Sequence, residues 1–379
     1  MKYFDYAATC PLDEEAAQVY VKAATEYYGN AQSLHDTGSQ AKELLENCRH
    51  EFAKLLGVMK EGIYFTSGGS ESNFLAIQSL LSSSLKKGKH IITGIAEHSS
   101  ILSTLEKLTE DDYEVTALPL NSLGQIDLEQ VRNAIREDTV LITIQHGNPE
   151  TGILQPLEEI NKICKEHQIL FHSDCVQTFG KAELKTVAQF VDSLSISGHK
   201  FYGPKGTGAV YIHPRFHWKA FYPGASHEKG FRPGTVNVPG IAAMTVAAQK
   251  ALGNLEDHIK KVHVLRKTFL NALDPIKENC IIYGLSDSRQ LPSTIGMRII
   301  GLEGQYVMLE CNRYGFAIST GSACQVGMQS PSKTMKAMGV SGKSGKEFIR
   351  ISFGWKTTER ETQELGEALV KIVNQSVRT

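Results

Sequence analysis

The chain contains no apolar run that approaches the length of a membrane-spanning helix, which takes about 20 consecutive apolar residues. It also lacks a strong charge of either sign, because 40 lysine and arginine residues nearly balance 41 aspartate and glutamate residues, for a net charge of -1. Proteins that capture nucleic acid or a membrane surface electrostatically carry a clear excess of positive charge. We therefore expect neither direct nucleic-acid binding nor membrane attachment.

Cysteine is scarce and scattered: seven residues lie in a chain of 379, and no two of them form a C-x-x-C pair. This spacing argues against a structural zinc site, and the odd number argues against a complete disulfide framework. The first residues, Met1-Lys2-Tyr3-Phe4-Asp5, do not have the pattern of a signal peptide. We expect a cytoplasmic protein with reduced thiols and no metal site.

Apolar segments of strand length alternate with helical segments through much of the chain. Strands are predicted at 62–67, 90–93, 113–118, 139–146, 169–174, 193–197 and 208–212, with helices at 70–85, 98–108, 127–136 and 157–167. This alternation predicts an α/β fold with a large, mostly parallel sheet covered by helices. A helical stretch at 241–273 follows. The tail then mixes strands at 294–299 and 348–353 with helices at 303–314 and 359–377, which indicates a smaller α+β part.

Lys200 lies just beyond the predicted strand 193–197, next to His199. A lysine at the exit of an apolar strand is poorly placed for a solvated surface charge and well placed for a cleft. Partial loss of water would lower the pKa of its amine, and a neutral amine can form a Schiff base with an aldehyde cofactor or substrate. The alternative is an ordinary surface lysine, since most lysines lie at the surface.

Other polar residues follow neighbouring strands of the predicted sheet. Gly69-Ser70 begins a helix, where backbone N–H groups suit a phosphate, although glycine and serine also cap helices. Asp174 ends another strand. Its carboxyl group could face a ligand, and the alternatives are a helix cap or a member of a buried ion pair. Ligands bind at the carboxyl ends of parallel strands, so we expect these residues and Lys200 to share one site.

The pair Asp174 and Lys200 fits pyridoxal 5'-phosphate in particular. That cofactor needs a lysine for its aldehyde and an acid for its ring nitrogen, because the protonated ring accepts electrons from a bond broken at the substrate's α-carbon. The other residues predicted for this site are a phosphate cradle of Gly69, Ser70, Ser197 and His199, and a histidine stacked on the ring, His98.

Several segments together resemble one family in their order and spacing, nearly from end to end. They are Asp5-Tyr6-Ala7-Ala8-Thr9, Gly29-Asn30-Ala31-Gln32-Ser33-Leu34-His35, Thr66-Ser67-Gly68-Gly69-Ser70-Glu71-Ser72, Glu97-His98, Asn148-Pro149-Glu150-Thr151-Gly152, His172-Ser173-Asp174-Cys175-Val176-Gln177 and Ser197-Gly198-His199-Lys200-Phe201-Tyr202-Gly203-Pro204-Lys205-Gly206. They resemble the cysteine desulfurases, which are fold-type I, class-V aminotransferase-like pyridoxal phosphate enzymes. The resemblance implies a large cofactor-binding domain at 16–257, a small domain formed by 1–15 and 258–379, and a homodimer with sites at its interface.

The resemblance also implies a role for each matching residue. Lys200 would hold the cofactor, and Asp174 would pair with the ring nitrogen. Arg350, whose planar fork suits a carboxylate, would bind the substrate together with Asn148. The remaining implied cofactor contacts are Asn148 and Gln177 at the ring hydroxyl, His98 on the ring face, Gly69, Ser70, Ser197 and His199 at the phosphate, and Thr235 at the phosphate of the partner subunit.

Cys324 lies in a small, polar stretch at about 319–333, which we expect to be mobile and exposed. From the local sequence it is either a reactive or a structural thiol. The long loop resembles that of the group-I desulfurases, which implies that L-cysteine becomes L-alanine and that its sulfur stays on Cys324 as a persulfide for an acceptor protein. Lys200, with His98, would move the α-proton.

Three residues, Ala31, Pro149 and Pro233, and the glycine-poor segment 225–230 depart from the family pattern. None removes a cofactor contact, but Pro233 lies beside the residue expected at the subunit interface. The chain stops soon after its last predicted helix, so we expect a narrow acceptor, a tRNA-thiolating enzyme, with an iron–sulfur scaffold as the next choice. A selenocysteine lyase, another class-V enzyme and a non-enzymatic protein on this fold are the open alternatives.

Overall fold

The computed structural model describes residues 1–224, 226–285, 289–320 and 332–376. The strands are β1 Lys2–Tyr3, β2 Ile63–Thr66, β3 His90–Gly94, β4 Glu114–Leu118, β5 Thr139–Thr143, β6 Leu170–Asp174, β7 Ser193–Ser197, β8 Gly208–Ile212, β9 Cys280–Tyr283, β10 Thr294–Ile299, β11 Phe316–Ala317 and β12 Phe348–Ser352.

The helices are α1 Glu14–Glu26, α2 Asp36–Leu56, α3 Gly69–Ser83, α4 Ser99–Thr109, α5 Leu128–Ala134, α6 Leu157–Glu166, α7 Lys185–Phe190, α8 Val238–Gly253, α9 Leu255–Ala272, α10 Gly304–Arg313, α11 Lys333–Ala337, α12 Gly342–Lys346 and α13 Glu359–Ser376. Within the described ranges, no helix is both long enough and apolar enough to cross a membrane.

A seven-stranded sheet forms the larger structural unit, in the order β2-β8-β7-β6-β5-β3-β4. Strand β8 is antiparallel to both of its neighbours, and the other neighbouring pairs are parallel. Strands β3, β5, β7 and β8 are buried along their whole length, as expected for a sheet covered by helices on both faces. The prediction of a large, mostly parallel sheet is confirmed.

A second, three-stranded antiparallel sheet has the order β12-β10-β9. Its core contains Ile295, Ile349 and Leu369, and it is separate from the core around the large sheet. The N-terminal segment belongs with this second core, because Phe4 is buried in it and β1 pairs in parallel with β11.

The predicted helical stretch at 241–273 is two helices rather than one. Helix α8 ends at Gly253, and α9 begins at Leu255. Asn254 lies between them, outside helical geometry, and its backbone N–H bonds to Lys250 O. Glycine and asparagine favour such breaks, since both leave helical geometry at low cost.

Strands β2 to β7 all run in the same direction, so their carboxyl ends lie along one edge of the large sheet. Five of these strands, β2, β3, β5, β6 and β7, lead to the site. The segments that follow them carry the residues predicted for the site. This parallel arrangement brings together side chains that are more than 100 residues apart in sequence.

Candidate active site

Lys200 lies in a single 3-10 turn, Gly198–Lys200, directly after β7. Its side chain is partly buried, and Nζ donates hydrogen bonds of 2.8 Å to both Ala7 O and Ala8 O. Two carbonyl groups of the N-terminal segment thus hold the amine in place. They provide no negative charge that would compensate a fully protonated lysine.

The surroundings of Lys200 disfavour its charged form. Burial lowers its pKa to about 8, and the positive charges of Lys181 and Arg350 act in the same direction, against the smaller opposing effects of Cys10 and Asp174. A substantial fraction of the amine is therefore neutral near pH 7.5, which a nucleophilic lysine requires.

Asp174 is the last residue of β6, and its carboxylate is buried at the same sheet edge. Oδ1 accepts a hydrogen bond of 2.9 Å from the Val176 backbone N–H, and Oδ2 accepts one of 2.7 Å from Asn73 Nδ2. These two donors hold the carboxylate in one orientation. Asp174 is close enough to Lys200 and His98 to affect the pKa of both groups.

His98 caps the N-terminus of α4 and presents its ring at the opening of the site. Its Nδ1 accepts from the backbone N–H of Ser100 at 3.2 Å and lies 2.8 Å from Ser100 Oγ. The loss of surrounding water lowers its pKa; Asp174 opposes this effect, and Lys200 adds to it. His98 thus offers a flat, mostly neutral ring.

The turn from β2 into α3 forms a small cradle around Gly68 and Gly69. Gly68 has a φ of 153°, which favours glycine, and a Cβ added there would lie 3.8 Å from Ser197 Oγ. A Cβ added at Gly69 would lie 2.8 Å from a methyl carbon of Val176. Only a residue without a side chain fits here, so the first backbone N–H groups of α3 and the exposed Ser70 remain accessible to an anion.

His199 precedes Lys200 in the same turn, and its Nδ1 lies 3.0 Å from Thr9 Oγ1 of the N-terminal segment. Burial lowers its pKa to about 4, and Lys200 and Lys205 contribute to this decrease. It is therefore neutral at physiological pH and can act as a hydrogen-bond donor, but not as a cation.

The amides of Asn148 and Gln177 already have partners inside the protein. Asn148 Nδ2 donates to Thr334 Oγ1 at 3.0 Å, and its Oδ1 accepts from the backbone N–H groups of Glu150 and Thr151, each at 2.9 Å. Gln177 Nε2 donates to Ala7 O at 3.0 Å. Both side chains are buried and held in fixed orientations.

Arg350, on β12, is only 3% exposed, and other groups orient its guanidinium. Nη2 forms an ion pair of 2.6 Å with Asp5 Oδ1, and Nη1 donates to Pro149 O at 3.0 Å. Arg350 and Lys200 are close enough for the arginine charge to lower the pKa of the lysine. The structure therefore brings the predicted substrate-binding arginine to the predicted cofactor lysine.

Cys324, the predicted sulfur carrier, lies outside the described residues. The residues on either side of 321–331 are attached to the site. Ser319 and Arg350 exchange backbone hydrogen bonds of 3.1 and 2.7 Å. On the other side, Ser332 Oγ donates to a carboxylate oxygen of Glu150.

Thr235 is exposed and lines a cavity of about 130 Å³ with Arg232, Ser67 and Gly206. This cavity adjoins the start of the Gly68–Gly69 turn. The contact predicted between Thr235 and the phosphate of a partner subunit stays a prediction, as do the roles of the other site residues.

Sequence reasoning did not single out Asn73, and it quoted Asp5 and Glu97 only within matching segments, without a role. Glu97 is 2% exposed, and its Oε1 accepts from the backbone N–H of Gln145 at 2.8 Å. Burial raises its pKa well above the usual range. The sequence feature that could have identified Glu97 as a site residue is its position directly before His98. Over the described ranges, no three His, Cys, Asp or Glu side chains are grouped so as to hold a metal ion.

The donor set fits pyridoxal 5'-phosphate. It combines a lysine amine of low pKa, a buried carboxylate with two N–H donors, a flat neutral histidine and a glycine turn at the start of a helix. These groups correspond to the aldehyde, the ring nitrogen, the ring face and the phosphate of that cofactor.

A sequence profile of the family described as Aminotransferase class-V matches residues 2–365, so the chain belongs to this family of pyridoxal-phosphate-dependent enzymes. It is 48% identical over 367 residues to the "Putative cysteine desulfurase NifS" of Bacillus subtilis, covering 96% of this chain and 93% of that protein. It is 36% identical over 377 residues to the "Cysteine desulfurase IscS" of Dictyoglomus turgidum, covering 98% and 94%.

A solved structure described as a NifS-like protein superposes with a TM-score of 0.90 at 31% identity, covering 98% of this chain and 99% of that one. The resemblance to cysteine desulfurases and the fold expected from it are confirmed.

Proposed function

We propose that this protein is a cysteine desulfurase that converts L-cysteine to L-alanine and retains the sulfur as a persulfide on Cys324. The observation that carries the proposal is the low-pKa amine of Lys200 beside the buried carboxylate of Asp174. The relatives named as cysteine desulfurases, which match nearly the whole chain, support it.

Pyridoxal 5'-phosphate, when bound, supplies an electron sink for bonds broken at the substrate's α-carbon. Lys200 would hold the cofactor through its amine, and Asp174 would pair with the ring nitrogen. The other residues that we propose as cofactor contacts are Asn148 and Gln177 at the ring hydroxyl, His98 on the ring face, Gly69, Ser70, Ser197 and His199 at the phosphate, and Thr235 at the phosphate of the partner subunit.

Arg350 binds the substrate carboxylate, with Asn148 beside it. The contacts of Arg350 with Asp5 and Pro149 O fix the plane of its guanidinium, which suits a bidentate contact. The amine of Lys200 accepts the α-proton of the substrate, with His98 as a second proton carrier. A pKa of about 8 lets this amine gain and lose a proton near neutral pH.

The Cys324 thiolate attacks the sulfur of L-cysteine. A sulfur–sulfur bond forms, the carbon–sulfur bond breaks, and its electron pair stays with the carbon skeleton, which takes up a proton and leaves as L-alanine. No external oxidant or reductant is needed, because one thiol becomes a persulfide as cysteine becomes alanine. The attachment of Ser319 to Arg350 and of Ser332 to Glu150 supports this role, since it ties both ends of the Cys324 segment to the site.

Sulfide and alanine release from L-cysteine tests this function. In the presence of a reductant, we expect Cys324→Ser to release sulfide at least a hundredfold more slowly than the wild type. The variant should keep the visible absorbance of the cofactor. Cys280→Ser is the matched control, because Cys280 is a partly buried strand residue whose pKa burial raises to about 11. A Cys324→Ser protein as fast as wild type would refute the mechanism. Activity with selenocysteine alone would instead assign a selenocysteine lyase.

We further propose a cytoplasmic homodimer, with domains at 16–257 and at 1–15 plus 258–379. Its sulfur acceptor would be a tRNA-thiolating enzyme, with an iron–sulfur scaffold as the next choice. Transfer of labelled sulfur from L-[³⁵S]cysteine to purified acceptors of both kinds tests the acceptor. A clear preference for the scaffold would overturn the first choice.

A further inference from the structure

A buried hydrogen-bond network lies behind Asp174 and His98, and its centre is Asn73 on α3. Asn73 and His172 are fully buried, so none of their polar atoms exchanges a partner with bulk water. Each buried donor therefore needs an acceptor within the protein, and this requirement fixes the direction of each hydrogen bond.

The Asn73 amide can be oriented in only one way. Nδ2 lies 2.7 Å from Asp174 Oδ2 and 2.9 Å from Ser100 Oγ. If the amide were flipped, its oxygen would face the carboxylate at 2.7 Å, and two acceptors would repel each other. Both N–H groups of Asn73 are therefore used, one on Asp174 and one on Ser100.

The amide oxygen of Asn73 fixes the proton on His172. It lies 3.2 Å from His172 Nε2, which must donate, and so His172 Nδ1 accepts from Ser193 Oγ at 2.7 Å. Burial lowers the pKa of His172 to about 3, so the ring stays neutral and this arrangement holds across the physiological range.

On the other side of Asn73, Ser100 extends the chain of hydrogen bonds to His98. The Ser100 hydroxyl accepts from Asn73, so its one proton is available for His98 Nδ1 at 2.8 Å. The Ser100 backbone N–H donates to the same nitrogen at 3.2 Å. With two donors facing Nδ1, the proton of neutral His98 lies on Nε2.

We propose that Asn73 and Ser100 are positioning residues: Asn73 orients the carboxylate of Asp174, and Asn73 and Ser100 together select the Nε2–H form of His98. Asn73 acts on both groups, and Ser100 acts on His98 alone. The inference rests on the proposed function for its relevance to catalysis, but the network can be tested without any turnover.

The first test records the ¹⁵N resonances of the histidine side chains in the full-length protein as purified. His98→Gln and His172→Gln identify the two sets of signals. We expect His98 to be protonated on Nε2, and Ser100→Ala to move its Nδ1 resonance toward that of an unbonded imine nitrogen. Asn73→Ala should move the signals of both His98 and His172. Ser99→Ala, at the exposed serine one position earlier, is the control and should move neither.

The second test measures the Kd for pyridoxal 5'-phosphate. Asn73→Ala should raise this Kd about tenfold, because Asp174 loses one of its two donors, whereas Ser100→Ala should change it less than threefold. A His98 protonated on Nδ1, or identical His98 resonances in wild type and Ser100→Ala, would overturn the inference. If Asn73→Ala does not fold, the Ser100→Ala spectrum alone decides. A wild-type protein that fails to bind the cofactor would refute the proposed function instead.

Discussion

The most direct consequence of the site's electrostatics is the reactivity of Lys200 as a function of pH. Burial and the neighbouring Lys181 and Arg350 lower its pKa to about 8. At pH 7.5 a lysine of pKa about 8 is roughly one quarter neutral, whereas one of pKa about 10.4 is neutral in about one molecule in a thousand. We therefore expect Lys200 to be neutral about 200 times more often than an ordinary lysine.

The assay is capture of pyridoxal 5'-phosphate by cofactor-free protein. Each reaction is stopped with borohydride, and the modified Lys200 peptide is quantified by mass spectrometry. The same measurement on Nα-acetyl-lysine amide corrects for the titration of pyridoxal 5'-phosphate itself. Since only the neutral amine reacts, the corrected rate should rise with pH and level off above about 8.

A second perturbation tests the cause of the shift. Lys181→Met removes a positive charge that disfavours protonation of Lys200, so the midpoint of the profile should move to higher pH. Lys185→Met, at an exposed lysine on α7, is the matched control and should leave the midpoint unchanged. A wild-type midpoint above pH 10, the value of an unperturbed lysine, would refute the reasoning about this site.

Two further predictions concern buried charge. Arg49 and Glu228 form a buried bidentate ion pair, at 2.8 and 2.9 Å, so Arg49→Met should reduce the free energy of unfolding in urea by about 3–5 kcal/mol. The double variant Arg49→Met/Glu228→Gln should lose less, and a single-variant loss below about 1 kcal/mol would contradict the buried pair. Burial raises the pKa of Glu97, so the folded protein keeps this proton at pH values where the unfolded chain has lost it. As pH rises above about 4.5, the wild type should therefore lose stability relative to Glu97→Gln. Urea unfolding of both proteins across this range tests the prediction, and a constant difference would count against a protonated Glu97.

The strands of the large sheet were predictable because their apolar runs are bounded by turn residues. Helices α1 and α2 were not predicted. The buried residues of α1 are Ala16 and Ala23, which give little apolar periodicity. Helix α2 buries Gly38 and Arg49 among its apolar residues. The burial of Arg49 is explained by its ion pair with Glu228, which lies 179 residues later in the sequence. Sequence patterns detect local periodicity, and these features depend on distant partners.

The same distinction holds within the site. Lys200, Asp174 and His98 were predictable because each lies at or just beyond the end of a strand that leads to one sheet edge. The ion pair between Arg350 and Asp5 was not, since it joins residues 345 apart. Asn73 lies inside a helix, where an asparagine usually faces solvent, and only its contacts with Asp174 and Ser100 reveal its importance. The domain boundaries and the roles of individual site residues stay predictions.

The hold on Lys200 by Ala7 O and Ala8 O has a practical consequence for mutational studies. Both acceptors are backbone atoms, so replacing the two alanine side chains leaves them in place. Saturation mutagenesis at positions 7 and 8 would thus report how well new side chains pack, since Ala7 is buried, and would not report the hydrogen bonds on which the amine depends. Insertion of one glycine between Tyr6 and Ala7 would displace the carbonyl groups while keeping every original side chain. Among single-residue changes, those that alter the spacing of the N-terminal segment are the ones that would expose this dependence.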